Sequence, residues 1–293
     1  MGHELAGTVQ EVGPPAENST TIEPGTRVAV NPLLYCGRCA DCQEGNQQLC
    51  RNRRTIGVNT GLLGGFAEFV IAPAHNLIPL AEGISFAEGS MAEPLAVGVR
   101  ATTVAGLQPG RPTAILGGGT IGLCCLIVCL RHGADPVFVT DVAQHKLEKI
   151  DLLGGKPVDA RSVDLASLGQ DVTSGRGFAT IIDAVAVSGT IRQALPALAP
   201  GGTLVLVGLA TPLVEIGLYD LVPQERKIKS AYAYTAAEYK QAVEMLNTRE
   251  VDVRPLLEGR CSLAQAPAMF EKISAGENSA VKIIVDVGRE DEM

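Results

Sequence analysis

Residues 113–141, TAILGGGTIGLCCLIVCLRHGADPVFVTD, decide the fold of this chain. The apolar run at 113–116 predicts a buried strand, and the Gly-x-Gly-x-x-Gly pattern at 117–122 lies where a helix should begin. That helix is predicted to end near Arg131, and a second strand is predicted to end at Asp141. A strand, a glycine-rich turn, a helix and a strand that ends in an acidic residue form the complete dinucleotide-binding fingerprint.

The glycines of this fingerprint and the acidic residue that ends it each have a physical role. Gly117 permits the tight turn, Gly119 lets the backbone approach a pyrophosphate, and Gly122 allows close helix packing. Asp141 can accept hydrogen bonds from both ribose hydroxyls, whereas a 2′-phosphate would meet its carboxylate, so the sequence favours NAD over NADP. The alternative is a glycine-rich turn in an α/β protein that binds no nucleotide.

The segments that follow alternate between strand and helix patterns. Residues 180–185 and 203–208 are apolar β-rich runs, and the helical stretch 190–199 separates them. Residues 227–234 are predicted to form the last strand, and 236–248 have the apolar spacing of an amphipathic helix. This alternation predicts a doubly wound parallel sheet.

The amino-terminal part of the chain has a different pattern. Residues 7–13, 26–32 and 66–73 predict short strands separated by Gly and Pro, which indicates a small β-rich domain. The closing segment 281–287 is predicted to be a strand that rejoins this domain. The predicted fold class is therefore α/β, with a parallel sheet and a second, β-rich domain.

Four cysteines lie close together in CGRCADCQEGNQQLC, at positions 36, 39, 42 and 50. Four thiolates from one loop suit a tetrahedral zinc ion and leave no coordination position open, so the predicted site is structural. Two disulfides are the alternative, but the other cysteines lie in apolar contexts and no secretory segment is evident. A nucleic-acid-binding zinc ribbon is disfavoured by the net charge of −8 and by the lack of interleaved aromatic residues.

Length and composition favour a two-domain protein without a membrane span. The 293 residues are 46% apolar, which is enough for a sizeable core. Residues 112–130 carry no charge, but the glycines at 117–119 divide them into a short strand and a helix. We expect a soluble cytoplasmic protein with neither a membrane nor a nucleic acid as partner.

Five motifs occur in a specific order: GHELAGTVQEVG, the four-cysteine loop, GGFAEFVIAP, AEPLAVG and GGGTIG. With these motifs the chain resembles the zinc-containing medium-chain alcohol dehydrogenases, in particular the polyol and butanediol (sorbitol dehydrogenase-like) branch. The resemblance extends over essentially all of the sequence. It implies a Rossmann domain together with a GroES-like β domain.

The resemblance also implies roles for individual residues. His3, Glu4 and Glu93 would belong to the catalytic zinc site, and the four cysteines Cys36, Cys39, Cys42 and Cys50 to the structural zinc lobe. The implied reaction is hydride transfer between NAD and a small secondary alcohol or vicinal diol. Further implied cofactor contacts are Ile121 at the pyrophosphate, Asp141 at the ribose, Lys146 near the adenosine, and Val207, Gly208 and Leu209 beside the nicotinamide.

The chain departs from the family pattern at its start. Members of the family place a zinc-ligating cysteine ahead of the Gly-His-Glu motif, whereas here Met1 directly precedes it. The cysteines outside the lobe, at positions 124, 125, 129 and 261, do not match that position, and the three on the predicted helix are expected to be core. We therefore expect an N-terminally truncated enzyme with impaired activity. The alternative is a zinc-stabilised NAD-binding protein or subunit without catalysis.

Substrate, domain boundaries and assembly complete the expectations. Ala233 stands where polyol dehydrogenases often carry Arg, which favours a butanediol-type substrate. We predict that 96–235 form the Rossmann domain, that 1–95 and 236–293 form an incomplete GroES-like domain, and that the active cleft lies between them. Family members are dimers or tetramers, and residues 203–219 are the predicted subunit contact.

Overall fold

The computed structural model describes residues 1–14 and 22–288. The chain divides into two compact units. The first unit contains Met1–Ala96 and the chain from Tyr234 onward, and the second contains Val97–Ala233.

The amino-terminal segment of the first unit is built from short strands and helices. Apolar alternation is brief here because Gly and Pro interrupt each run. Its elements, with the helix that leads into the second unit, are β1 (Leu5–Thr8), β2 (Arg27–Val30), β3 (Leu33–Leu34), α1 (Ala40–Gln43), β4 (Arg54–Thr55), β5 (Leu77–Pro79), α2 (Phe86–Ser90) and α3 (Ala92–Ala105).

The second unit alternates strand and helix along the chain. Its elements are β6 (Thr113–Leu116), α4 (Thr120–Arg131), β7 (Val137–Asp141), α5 (Gln144–Leu152), β8 (Lys156–Asp159), α6 (Leu165–Val172), β9 (Phe178–Asp183), α7 (Ser188–Ala197), β10 (Leu198–Leu206), α8 (Leu218–Leu221) and β11 (Lys227–Ser230). The chain then returns to the first unit with α9 (Ala236–Asn247), β12 (Leu257–Ser262), α10 (Ala266–Ser274) and β13 (Lys282–Asp286).

The sheet of the second unit is parallel throughout, in the order β11-β10-β9-β6-β7-β8. The order reverses direction beside β6, so the turn after this strand lies at the topological switch point, where ligands of open α/β sheets bind. The core on this sheet includes Phe178, Ile181 and Leu204, which are fully buried. The prediction of a doubly wound parallel sheet is confirmed.

The three cysteines on α4, Cys124, Cys125 and Cys129, are fully buried. Their helix carries no charge until Arg131, because most of its surface packs inside the unit. The expectation that they are core residues is confirmed. No helix among residues 1–14 and 22–288 is long and apolar enough to span a membrane.

Antiparallel pairing dominates the first unit. Strand β2 lies between β1 and β5, and its residues Val28 and Val30 are buried in one core cluster with Ile56. The predicted closing strand is present as β13, which pairs in parallel with β12.

Three predicted strands differ from the structure. The strand predicted at 7–13 overlaps the observed strand β1, Leu5–Thr8, only at Gly7 and Thr8. The strand predicted at 227–234 ends at Ser230, because its neighbour β10 ends at the paired residue Leu206. Ala233, further along, has a left-handed backbone with φ of 46° and could not continue a strand. Residues 66–73 keep the alternation of a strand, with Val70 and Ala72 packed against the core and Phe69 and Ile71 exposed. None of the described strands pairs with this segment, however, and a strand requires a hydrogen-bonded neighbour.

Candidate metal and cofactor sites

The four predicted zinc cysteines converge in the structure. Their sulfur atoms all lie within 4.8 Å of one another, and the Sγ atoms of Cys36 and Cys50 are 3.5 Å apart. Four sulfurs about 2.3 Å from one zinc ion would be separated by roughly 3.8 Å, so the donor set and its spacing fit a closed tetrahedral site. Helix α1 contributes to this arrangement, since it begins after Cys39 and carries Cys42.

The backbone around these cysteines favours the thiolate at one position. Hydrogen bonds from the backbone N–H groups of Arg38 and Cys39, with a further contribution from Cys50, lower the pKa of Cys36 to about 6. Since the thiolate is the form that binds a metal, Cys36 is prepared for coordination near neutral pH.

The second predicted metal set also comes together. His3 and Glu4 lie just before β1, and Glu93 lies in the first turn of α3. One ligand atom from each residue lies within 4.8 Å of the other two. An imidazole and two carboxylates suit zinc, and three protein ligands leave a position open, as in catalytic rather than structural sites.

Burial controls the protonation of this trio. It raises the pKa of the Glu93 carboxyl to about 7, while a hydrogen bond from the Tyr234 side chain acts in the opposite direction. Burial and the charge of Lys282 lower the pKa of His3, which favours the neutral imidazole that binds metals. Lys282 also forms an ion pair with the Glu4 carboxylate.

Sequence reasoning missed Tyr234 and Lys282 as parts of this site. Tyr234 is buried and packs against Tyr239, with ring centroids 5.4 Å apart. Tyr234 and Lys282 both lie in segments that the sequence predicts as strands, 227–234 and 281–287, and a strand pattern gives no signal for these contacts. Their proximity to Glu93 and Glu4 comes from the return of the chain to the first unit.

The glycine-rich turn of the second unit has the geometry that the fingerprint requires. Gly117 has φ of 96°, and a Cβ on Gly122 would overlap the carbonyl oxygen of Gly117. Gly119 is the N-cap of α4, and Ile121 lies in the first turn of this helix. Backbone N–H groups at a helix start are suited to a pyrophosphate.

Asp141 ends β7 and is tied to this turn. Its Oδ2 accepts a hydrogen bond from the Gly118 N–H at 2.8 Å, and its Oδ1 accepts from the N–H groups of Val142 and Ala143 at 2.8 and 2.9 Å. Lys146 Nζ lies 3.5 Å from Oδ2. Burial alone would raise the pKa of Asp141, but these hydrogen bonds and the Lys146 charge lower it overall. The residue is therefore a fixed carboxylate beside the glycine turn.

The predicted nicotinamide segment follows β10. The N–H groups of Val207 and Gly208 donate to the carbonyl oxygen of Asp183 at 2.9 and 3.1 Å, whereas Leu209 is 83% exposed. Asp183, which sequence reasoning also missed, is fully buried and accepts a hydrogen bond from the Thr190 hydroxyl at 2.6 Å. The Asp183 carboxylate also accepts hydrogen bonds from the N–H groups of Val185 and Ala186, so this residue holds the turns after β9 and β10. The roles of all these residues toward metal or cofactor remain predictions.

Comparison with known proteins assigns the chain to a family. Residues 1–82 match the alcohol dehydrogenase GroES-like domain, and residues 120–248 match the zinc-binding dehydrogenase family. The chain is 30% identical to L-idonate 5-dehydrogenase of Vitis vinifera over 98% of its own length and 79% of that protein. This chain belongs to the zinc-binding medium-chain alcohol and polyol dehydrogenases. The family consists of oxidoreductases, and the predicted GroES-like and Rossmann architecture is confirmed.

Two solved structures of this zinc-binding dehydrogenase family are informative. The 2R,3R-butanediol dehydrogenase of Bacillus subtilis superposes with a TM-score of 0.87 at 26% identity, covering 98% of this chain and 80% of that one. A zinc-binding dehydrogenase of Sinorhizobium meliloti 1021, bound to NADP, superposes with a TM-score of 0.86 at 29% identity, covering 97% and 82%.

Proposed function

We propose that this dehydrogenase uses zinc and NAD to oxidise a small secondary alcohol or vicinal diol. The observation that carries the proposal is the convergence of His3, Glu4 and Glu93, three potential zinc ligands, at one point of the first unit. The zinc lobe of four cysteines would hold a second, structural ion. Similarity to a butanediol dehydrogenase, and Ala233 where polyol enzymes often carry Arg, support a small diol as substrate.

His3, Glu4 and Glu93 would hold a zinc ion that supplies a Lewis acid for the alcohol oxygen. The alcohol would lose its hydroxyl proton to solvent and the hydride of its carbinol carbon to NAD, which leaves a ketone and NADH. The protein's own contribution is positioning and burial. Tyr234 holds the Glu93 side chain, and the burial of Glu93 excludes water from its carboxylate. In the second unit, the glycine turn with Ile121 would bind the pyrophosphate, Asp141 and Lys146 the adenosine end, and Val207 to Leu209 the nicotinamide end.

The preference for NAD rests on Asp141. Its carboxylate is held by three backbone N–H groups, so it cannot easily turn away from a 2′-phosphate. The Sinorhizobium relative is bound to NADP, so family membership alone does not decide between NAD and NADP. In this chain, the Asp141 carboxylate would repel the 2′-phosphate of NADP, and this repulsion favours NAD.

We also propose a homo-oligomer, a dimer or a tetramer. Within the contact predicted at 203–219, Thr203, Leu204 and Val205 are buried in a strand that lies between two others, so this part does not face a partner. Segment 209–222, by contrast, exposes several large apolar side chains, including Leu213, Leu218 and Tyr219. Exposed apolar residues concentrated in one segment are typical of a protein contact rather than of a free surface. A second copy of the chain would cover them.

The function is tested with the zinc-loaded chain, NAD and butane-2,3-diol, by following NADH formation. The His3→Ala variant should lose at least about 100-fold in kcat/KM, because removal of an outer-shell metal partner alone costs roughly 10–100-fold. His132→Ala is the matched control, since His132 is exposed at the end of α4. Full retention of activity by His3→Ala would contradict the proposal. Binding of zinc at both sites and of NAD without any turnover would favour the non-catalytic alternative.

A further inference from the structure

Lys282 is a buried cation beside the candidate catalytic metal site. It begins β13, and the parallel pairing of Lys282 with Leu257 of β12 fixes its backbone. The Lys282 side chain is 15% exposed and that of Glu4 is 24% exposed, and the two form an ion pair through Nζ and Oε2. A flexible side chain that is held in this way cannot be treated as a solvated surface lysine.

The ion pair involves one of the three potential zinc ligands. His3, Glu4 and Glu93 offer at most two negative charges, and the ammonium of Lys282 already compensates one of them. A zinc ion bound by the trio would bring two positive charges close to this ammonium. Because the site is largely buried, water screens the repulsion only weakly.

We propose that the Lys282 ammonium and the metal ion compete for the Glu4 carboxylate, so that Lys282 limits the zinc affinity of the site. The inference rests on the proposed function, since it requires the trio to bind zinc. Lys282 is a positioning residue in this scheme: it acts on the metal through Glu4. When zinc is absent, the ammonium keeps the half-buried Glu4 carboxylate paired, which avoids the cost of leaving a poorly solvated charge without a partner.

The opposite effect of Lys282 is a defined alternative. A cation on the outer oxygen of a carboxylate can also orient that carboxylate for a metal, and its loss then weakens metal binding. The two effects differ in sign, so the direction of the change in zinc affinity decides between them.

The test is calorimetric titration of zinc at one fixed pH into the full chain, whose cysteine lobe has been loaded beforehand. Lys282→Met keeps the length of the side chain and removes its charge, and it should bind zinc at the trio at least about tenfold more tightly. Lys282→Gln is a second neutral variant in case the first does not fold. Lys282→Arg should stay within about threefold of the unmodified chain because it keeps the charge. Lys272→Met, on the exposed side of α10, is the matched control.

A double-mutant cycle locates the effect. In a Glu4→Gln background, the gain from Lys282→Met should shrink, because the carboxylate for which both cations compete is gone. Unchanged or weaker zinc binding in both neutral variants would overturn the inference while leaving the proposed function intact. If the unmodified chain binds no zinc that His3→Ala removes, the proposed function fails together with it.

Discussion

At the scale of a single residue, the predicted preference for NAD over NADP depends on Asp141. Three backbone N–H groups hold its carboxylate in place, and Lys146 lies close to one of its oxygens. The sequence predicted an acceptor at the end of β7, and the structure adds the reason that it is rigid. A rigid carboxylate discriminates between NAD and NADP more strongly than a mobile one, because it cannot move away from the 2′-phosphate.

We predict that NAD binds more tightly than NADP and that Asp141→Ser lowers the ratio of the two affinities by about tenfold or more. The substitution removes both the ribose acceptor and the repulsion of a 2′-phosphate, and a hydrogen bond to a charged group contributes on the order of 1.5–3 kcal/mol. Titration of both cofactors measures the effect. Asp151→Ser, on the exposed end of α5, should leave the ratio unchanged. Equal affinities in the unmodified chain would place the selective residue elsewhere.

At the scale of an element, helix α2 depends on Glu88. The Glu88 carboxylate accepts from the N–H and hydroxyl of Ser85 at 2.9 and 2.6 Å, which completes a capping box, and it also pairs with Arg249. Burial alone would raise the pKa of Glu88, but these partners lower it overall. One carboxylate thus joins the start of α2 to the end of α9.

We predict that Glu88→Gln lowers the free energy of unfolding by about 2 kcal/mol at neutral pH, since it weakens the cap and removes the carboxylate partner of Arg249. The folded pKa lies below the unfolded one, so the contribution of Glu88 is complete above the unfolded pKa. It is lost as the pH falls through the folded pKa. Urea unfolding at neutral and acidic pH measures this, with exposed Glu82→Gln as control. A difference between Glu88→Gln and the unmodified chain that is independent of pH would refute the assignment.

The loop around α1 is a second element that depends on a few side chains. We predict that Cys39→Ser removes one zinc ion per chain and lowers solubility, because a structural zinc site contributes to folding directly. Elemental analysis after mild chelation measures the metal. Cys261→Ser is the control, since Cys261 lies in β12 outside the lobe. Well-folded protein without any zinc would falsify the assignment of the four cysteines as ligands of a structural zinc ion.

At the scale of the whole molecule, the exposed apolar side chains of segment 209–222 bear on assembly. Leu213 and Tyr219 are 83% and 94% exposed in a single copy of the chain. We predict that the chain sediments as a dimer or tetramer and that Tyr219→Glu shifts it toward smaller species, because a charge would be buried at the contact. Analytical ultracentrifugation tests this prediction. Leu152→Glu, which is exposed on α5, should have no effect, and a monomeric unmodified chain would contradict the proposal.

The sequence by itself determined the parallel sheet, the glycine turn and the cysteine lobe. The glycine turn and the cysteine lobe each depend on residues close together in the chain, and the parallel sheet follows from strand and helix patterns that alternate along it. The trio His3, Glu4 and Glu93 was identified only through family resemblance, because two of its members are distant from the third in sequence.

Only the tertiary structure decided the contacts of Glu4 with Lys282 and of Glu93 with Tyr234, and the absence of strand pairing at the described residues 66–73. The two contacts join the amino-terminal part of the first unit to the part that begins at Tyr234. A hydrophobic pattern reports which face of a segment is buried, but it does not report which distant segment covers that face. Long-range pairing is set by the packing of the whole unit, and no local preference of the sequence encodes it.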